Sequence, residues 1–351
     1  MRYYAYYLQI FLLLLGGCIS SDKSNPLKLF SEHQELYHET LPSNDYVLAM
    51  TGQIVDLGGY IVLFAINNKN DLAIYDKTLH CYLPPIGPRG QGPAEFSYIK
   101  NIQFADSTRI YVHDDARKEF VDYQFTTFSN DSVQTRKKVI FSWKPMALLA
   151  VKAGNYFVRL CAVEDGMFSL ADASGKELGL FEQYPPIGEN GMDYPSPVRA
   201  MSYQGRFAVR PGDSLFVFVP LSAPIIQIFK AAENKIIKHA ESIVSYAHPE
   251  IIKSGTGNLQ SAHGRDNPFG YLSVTGTREY IYVLYSGRTF NEYQSKVFCG
   301  RDVLVFDWNC KPVKHYVLDL DVSCIEVSRD NKTLWAAADN PDPELVKYAL
   351  D

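Results

Sequence analysis

The sequence has no long apolar run, no C-x-x-C pair and no excess of positive charge. Its most apolar stretch, Leu8–Leu15, is far shorter than the roughly 20 residues that a membrane span requires. The missing C-x-x-C argues against a zinc ribbon or a thioredoxin-type site. A formal net charge of −5 over 351 residues provides no general attraction for nucleic acid. We therefore predict no metal site, no cofactor and no nucleic-acid partner.

Helix signals are also scarce, and the best candidate outside the N-terminal leader is the short stretch Lys28–Tyr37. Elsewhere, runs of four to eight residues rich in Val, Ile, Phe and Tyr alternate with Gly, Asn, Asp and Pro. The high aromatic content of 13% argues against disorder. The chain is therefore expected to be all-β.

One phrase recurs along the chain: an apolar strand that usually ends in an aromatic residue, followed by a polar turn. Its six copies are anchored at positions separated by 48, 48, 58, 77 and 42 residues, namely Tyr75, Tyr123, Ala171, Phe229, Phe306 and Tyr348. Two further strand-like segments precede each copy, and repeats of about 40–50 residues with four strands are typical of propeller blades. The sequence predicts a six-bladed β-propeller of four-stranded antiparallel blades. The last copy ends with the chain, so an N-terminal strand within Leu36–Met50 is expected to close the ring.

The N-terminus has the plan of an export signal: Arg2, the apolar run Leu8–Leu15, then two small residues and Cys18. The stretch Leu-Gly-Gly-Cys at 15–18 resembles the lipobox of bacterial lipoproteins. This resemblance implies that residues 1–17 are removed and that Cys18 receives a lipid anchor in the membrane. Residues 18–26 then form a tether, and 27–351 form the propeller. Ile19 replaces the Asp that often retains lipoproteins at the inner membrane, so the expected location is the cell envelope, at the outer membrane.

The five remaining cysteines predict thiols rather than disulfides. Five is an odd number, and Cys299 and Cys310 flank an extended apolar run. Such a run separates its ends by more than about 20 Å, whereas a disulfide needs Cα atoms closer than about 7 Å. We expect buried free thiols.

A glycine-rich segment, Gly87–Phe96 (GPRGQGPAEF), lies between the first and second repeats. It is similar to the signature of TolB-like six-bladed propeller lipoproteins of Bacteroidetes envelopes, with Ala94 where that family usually has Gly. The resemblance implies the same fold and location. The alternative, a phosphate loop, lacks the Gly-Lys-Ser/Thr ending and the following helix. The Gly and Pro residues are better explained as turn formers between blades.

The longest connections are expected to meet at one end of the propeller, because successive connections in a meander alternate between its two faces. They cover about 84–100, 184–199, 243–270 and 286–301. Aromatic and Arg side chains suit recognition of a sugar, peptide or carboxylate. The ligand-binding candidates on these connections and on the shorter one after the second strand of blade 2 are Arg89, His113, Tyr194, Arg199, His263, Arg265 and Arg288.

Three functions remain open at this stage. The favoured one is a non-catalytic module that binds a small ligand, a glycan or an envelope protein at the long connections. The alternative is an envelope lyase or hydrolase using His263, Arg265 or His113; no G-x-S-x-G occurs to suggest a serine hydrolase. The third is a structural subunit of an envelope assembly. A pocket on which His and Arg side chains converge would favour an enzyme. An exposed apolar patch would favour a protein partner, and an open polar channel would favour a small ligand.

Overall fold

Short β-strands make up most of the computed structural model. It describes residues 24–44, 46–48, 50–65, 70–92, 95–124, 135–141, 147–162, 165–188, 192, 194–255, 257–339 and 342–351. The predicted export signal 1–17 and Cys18 lie outside these residues, as does most of the tether 18–26. Among the described helices, none has the length and apolar content needed to cross a membrane.

The described N-terminal segment contains strands where a helix was predicted. A 3-10 helix covers Pro26–Leu29, and β1 (Gln34–Leu36) and β2 (Glu39–Thr40) follow it. The helix predicted at Lys28–Tyr37 is therefore wrong. β1 pairs in parallel with residues 316–318, and Leu36 is buried in the core. This tertiary pairing outweighs the weak helical preference of a stretch too short to be helical alone.

The first four blades are antiparallel sheets, each built from four consecutive strands. Their strands, four for each blade in turn, are β3 (Thr51–Asp56), β4 (Tyr60–Ala65), β5 (Asn70–Asp76), β6 (Cys81–Pro88), β7 (Ile99–Asp106), β8 (Arg109–Asp114), β9 (Glu119–Gln124), β10 (Thr135–Ile140), β11 (Ala147–Ala153), β12 (Tyr156–Cys161), β13 (Phe168–Ala171), β14 (Glu177–Phe181), β15 (Gly205–Val209), β16 (Leu215–Pro220), β17 (Ile225–Ala232) and β18 (Lys235–Ile243). The connections between blades add helix α1 (Ser196–Ser202) and the hairpin of β19 (Glu250–Lys253) and β20 (Leu259–Ala262).

Blades 5 and 6 belong to one eight-stranded sheet. Its strands are β21 (Tyr271–Gly276), β22 (Tyr280–Tyr285), β23 (Gly300–Asp307), β24 (Pro312–Val327), β25 (Thr333–Asp339) and β26 (Pro343–Ala349), with α2 (Phe290–Tyr293) and a 3-10 helix (Gln294–Phe298) after β22. The first part of β24 pairs with β23 as the outer strand of blade 5, and its last part pairs with β25 as the inner strand of blade 6. β2 pairs with β26 and becomes the outer strand of blade 6. The prediction of a six-bladed propeller closed by an N-terminal strand is confirmed.

Apolar side chains fill every interface between neighbouring blades. Phe168 packs on Phe216 and Phe229 between blades 3 and 4. Tyr75 and Trp335 belong to the cluster that joins blade 6 to blade 1. The other four interfaces hold equivalent clusters. The ring is thus closed by packing as well as by strand pairing.

The second strand of each blade reads as an almost continuous apolar run because neighbouring blades cover both of its faces. All six residues of β16 are buried, whereas the outer strand β18 buries only Ile236 fully. Cys310 and Cys324 are buried free thiols, as predicted. Cys161 and Cys299 are buried too, and Cys81 is a half-buried free thiol.

The connections divide between two ends of the ring. We call one end the long-connection face; among the described residues it carries 41–44, 46–48, 50, 89–92, 95–98, 115–118, 182–188, 192, 194–204, 221–224, 244–255, 257–270 and 286–299. The opposite end is the short-connection face; it carries residues 57–59, 77–80, 107–108, 154–155, 210–214, 277–279, 308–311 and 328–332. The long connections therefore meet at one end, where the sequence places them.

Candidate functional site

The seven predicted ligand-binding residues fall into two groups, and all of them except His113 lie on the long-connection face. Arg89 and His113 belong to blades 1 and 2. The other five belong to the connections of blades 3 to 5: Tyr194, Arg199, His263, Arg265 and Arg288. In both groups, each side chain contacts other residues of the protein.

Arg89 is held by a buried carboxylate. Its Nη2 lies 2.6 Å from Oδ1 of Asp71, a residue that is almost completely buried. Around it, the glycine-rich segment folds back on itself: Gly92 N donates to the Glu95 carboxylate, and Arg117 donates to the carbonyl oxygens of Gly90 and Gly92. The segment therefore forms a self-contained turn between blades 1 and 2.

His113 lies inside blade 2 rather than in a loop. Its side chain is completely buried, with Nδ1 3.3 Å from Oδ1 of Asn101. The Nε2 atom has no hydrogen-bond partner, and the Asp115 carboxylate is 4.0 Å away. Burial, with further contributions from the cations of Lys100 and Arg159, lowers the pKa of His113 to about 3. The imidazole is therefore neutral at physiological pH, and solvent does not reach it.

Arg199 lies on α1 and caps backbone groups of the preceding connection. Its guanidinium donates to Tyr184 O at 3.2 Å and to Gln183 Oε1 at 3.1 Å. Tyr194, just before the helix, is half-buried against the core of blades 3 and 4. Helix α1 also contacts β20, where Ser202 and Ser261 share a hydrogen bond of 2.6 Å. The connection from blade 3 to blade 4 thus packs on the connection from blade 4 to blade 5.

His263, Arg265 and Arg288 share one loop cluster on blade 5. The ring of His263 packs on that of Phe269 in a tilted arrangement, with 4.1 Å between the ring centroids, and burial lowers the pKa of His263. Arg265 donates to Asn291 Oδ1 at 3.0 Å. Arg288 forms an ion pair of 2.6 Å with Asp321. Although burial opposes ionisation, the hydrogen bonds from Arg288 and Arg301 hold the pKa of Asp321 below its usual range.

These contacts limit what the seven residues do chemically. The structure brings the blade 3–5 group onto adjoining connections, and it keeps Arg89 and His113 apart from them. The side chains of Arg89, Arg199 and Arg288 stabilise the connections through carboxylates or carbonyl groups. Within the described residues, no group of three or more His, Cys, Asp or Glu side chains is arranged to hold a metal ion. A ligand-binding role for the seven remains a prediction.

Large apolar side chains are exposed on the same face. Nine of the sixteen exposed large hydrophobic residues in the described chain lie there, against one, Leu79, on the short-connection face. The nine are Val47, Met50, Tyr98, Met192, Met201, Ile252, Leu259, Tyr293 and Phe298. The candidates chosen from the sequence did not include these nine residues. The apolar residues within the long connections were the available signal.

An axial channel runs between the six innermost strands. It holds a cavity of about 340 Å³ that reaches the short-connection face at Asn155, Pro211 and Asp213. A second cavity of about 120 Å³ lies beside it, and Gln53, Gln103 and Arg206 line both. None of the seven predicted residues lines either cavity.

A family model described as "TolB-like 6-blade propeller-like" matches residues 60–330, which is most of the ring. The chain belongs to this family. The resemblance noted in the glycine-rich segment is thereby confirmed. A search of the curated proteins found no match.

This TolB-like propeller is similar to several solved structures at low sequence identity. A crystal structure of a Bacteroides fragilis protein, described as "Putative exported protein", is 13% identical, with 90% of this chain and 94% of that chain covered and a TM-score of 0.56. The Cps50 (Swd1) β-propeller domain of Myceliophteria thermophila is 8% identical, with 90% and 100% covered and a TM-score of 0.48. The RRP9 WD40 repeats are 10% identical, with 90% and 100% covered and a TM-score of 0.47.

Proposed function

We propose that this TolB-like propeller is an exported lipoprotein, anchored in the outer membrane through Cys18, that docks a partner protein of the cell envelope on its long-connection face. The N-terminal sequence and the lipobox-like stretch 15–18 support export and anchoring. The description of the Bacteroides fragilis structure as exported is consistent with this location. Several acyl chains on one cysteine would give a stable anchor, because each buried methylene contributes about 0.8 kcal/mol.

The observation that carries the docking proposal is the distribution of exposed apolar side chains. Isolated exposed apolar residues are normal on protein surfaces, but groups of them mark interaction sites. Here Met201 on α1 and Leu259 on β20 belong to elements that contact each other, and Phe298 packs on Phe269 of the adjoining connection. Met201 and Leu259 therefore lie on neighbouring elements, and Phe298 is supported by the adjoining connection.

The same face offers less support for the enzymatic alternative. His113 is completely buried, and Arg265 extends over the Phe290 ring at 4.5 Å. His263 donates a hydrogen bond from Nε2 to Asn267 O at 3.0 Å. Since a general base needs a proton within reach in a substrate complex, a surface for protein docking fits these side chains better than a catalytic pocket.

A photo-crosslinking residue in place of Phe298 is expected to capture one defined partner in intact cells that make the protein natively. Phe298 is 53% exposed, and Val313, on the outer strand of blade 5, is a matched control at 48%. We expect a single adduct of defined mass at position 298 and none at 313. Equal adduct patterns at both positions, or no adduct at 298, would argue against docking on this face.

The substitution Cys18→Ala is expected to abolish fatty-acid labelling and to release the protein from the membrane fraction, because the acylated thiol is lost. Labelling with an alkyne fatty acid followed by fractionation measures both effects. Cys81→Ala, which changes a half-buried thiol of the propeller, serves as the control and should leave both unchanged. Persistent labelling of the Cys18→Ala chain would contradict the anchor.

A further inference from the structure

The axial channel has a charge balance opposite to that of the whole chain. The chain carries a net charge of −5. The two channel cavities are nevertheless lined by five basic residues, Lys100, Lys152, Arg206, Arg210 and Arg329, and by only two acidic residues, Asp213 and Glu326. A basic lining inside an acidic protein points to an anionic ligand, because a cleft with walls of low dielectric constant concentrates the field of its charges.

Two of the five basic residues are neutralised by the two carboxylates. Arg329 pairs with the buried Glu326 at 2.7 Å and extends over the Phe104 ring at 4.2 Å. Arg210 lies 3.5 Å from Asp213 at the mouth of the cavity. These pairs frame the opening on the short-connection face and leave the positive charge of the interior uncompensated.

Arg206 is the central uncompensated cation. It belongs to β15, the innermost strand of blade 4, and it is the one charged residue that lines both cavities. Its guanidinium donates to the carbonyl oxygen of the neighbouring Gly205 at 3.3 Å. Within the described residues, no carboxylate lies within 4.0 Å of it, and burial lowers the pKa of Arg206. The side chain is half-buried and lines a cavity that opens at the short-connection face, so a ligand that enters this cavity can supply acceptors for the guanidinium.

Neutral polar groups surround the same space. The Oε1 atom of Gln53 accepts a hydrogen bond from Ile102 N at 2.9 Å, and its Nε2 makes no hydrogen bond to the described residues. Ser273 Oγ accepts from Ile325 N at 3.2 Å, so its hydroxyl hydrogen is available. Nearer the mouth, Lys152 Nζ donates to Gly154 O at 2.9 Å and lies over the Tyr111 ring at 5.3 Å. The lining can thus donate hydrogen bonds to a polar ligand at several points.

We propose that the axial channel binds a small organic carboxylate that enters from the short-connection face and pairs with Arg206. The planar guanidinium presents two parallel N–H donors, which match the two oxygens of a carboxylate. One central cation suits a single negative charge, and Gln53 and Ser273 suit hydroxyl or carbonyl groups on the rest of the ligand. The cavity, at about 340 Å³, lies at the small end of the range of about 300–1,000 Å³ for small-molecule pockets. This site is independent of the proposed docking surface, which lies at the opposite end of the ring.

Calorimetric titration of the full exported chain, purified in detergent, tests the proposal. The probes are the monocarboxylates lactate and glucuronate, with glucose as the neutral counterpart and inorganic phosphate as a non-carboxylate anion. We expect saturable binding of at least one carboxylate, none of glucose, and an affinity lower by at least about tenfold for Arg206→Gln. Arg301→Gln removes an equal charge outside the channel, from a side chain paired with Asp321. It should leave the affinity within about twofold.

Three results would overturn the assignment. They are the absence of saturable binding for both carboxylates, preference for phosphate over both, and equal affinity of the native and Arg206→Gln chains. Thermal unfolding without any probe separates binding from folding. Because the substitution removes an uncompensated cation, Arg206→Gln should unfold at the native temperature or above it. A clearly lower unfolding temperature would make Arg206 a structural residue and would also overturn the assignment.

Discussion

Replacing residues 24–40 by a Gly/Ser segment of equal length is expected to lower the free energy of unfolding by about 5–10 kcal/mol. The replaced segment contains β1 and β2, which complete blades 5 and 6. Leu36 is buried between those blades, and Leu27 and Phe30 pack against the cluster between blades 4 and 5. Each apolar side chain contributes about 1.5–3 kcal/mol on burial, and the strand hydrogen bonds add to this.

Chemical denaturation in urea measures this effect, and the equal length leaves the spacing of the flanking residues unchanged. Two exposed positions serve as controls, Tyr37 within the segment and Val47 beyond it: Tyr37→Ser and Val47→Ser should each change the free energy of unfolding by less than about 1 kcal/mol. An unfolding midpoint unchanged by the Gly/Ser replacement would show that the ring is stable without its N-terminal strands.

Acid is expected to destabilise the propeller through His113. The ordinary pKa of a histidine is about 6.5, whereas burial in the fold lowers the pKa of His113 to about 3. Above pH 6.5 the imidazole is neutral in both the folded and the unfolded chain, and its full contribution to the free energy of unfolding is present. This contribution is lost as the pH falls, because the unfolded chain takes up the proton first. The loss is about 1.4 kcal/mol for each pH unit down to about pH 3, or about 2.7 kcal/mol at pH 4.5.

The variant His113→Gln isolates this contribution because a carboxamide does not titrate in this range. Urea denaturation at pH 8 and pH 4.5 measures how much the free energy of unfolding falls on acidification. This fall should be about 2.7 kcal/mol smaller in the variant than in the native chain. His239→Gln, at an exposed position on β18, should show the native pH dependence. If the native chain and His113→Gln lose stability equally on acidification, His113 is not the group responsible.

The ring could be predicted from the sequence because each blade places the same physical requirement on its strands. The third strand of each blade must be apolar, and its anchors, such as Tyr75, Tyr123 and Tyr348, are buried in the structure. The anchor spacing varied because the connections between blades differ in length. The number of strands in each blade could nevertheless be predicted. The N-terminal closing strand was also predictable, since the sixth repeat lacked an outer strand.

The chemistry of the loops could not be predicted in the same way. Whether an Arg faces a ligand or a carboxylate of its own chain depends on residues distant in sequence, as Arg288 and Asp321 illustrate. The sequence also contained an indication of the axial channel that the sequence analysis did not use. Gln53, Gln103 and Arg206 are polar residues within inner strands, where an apolar residue would serve the core better. Once the strands are assigned, such polar positions indicate an axial channel.

The pairing of β2 with β26 joins segments that lie at opposite ends of the ring sequence, with Glu39 opposite Lys347. In the export that we propose for this chain, β2 crosses the membrane well before β26. The contact that completes the propeller then forms only after β26 has crossed, and such long-range pairing is slow. During that interval the unpaired edge of blade 6 is open to aggregation. If the chain is exported as proposed, folding of the ring is thus tied to the passage of β26.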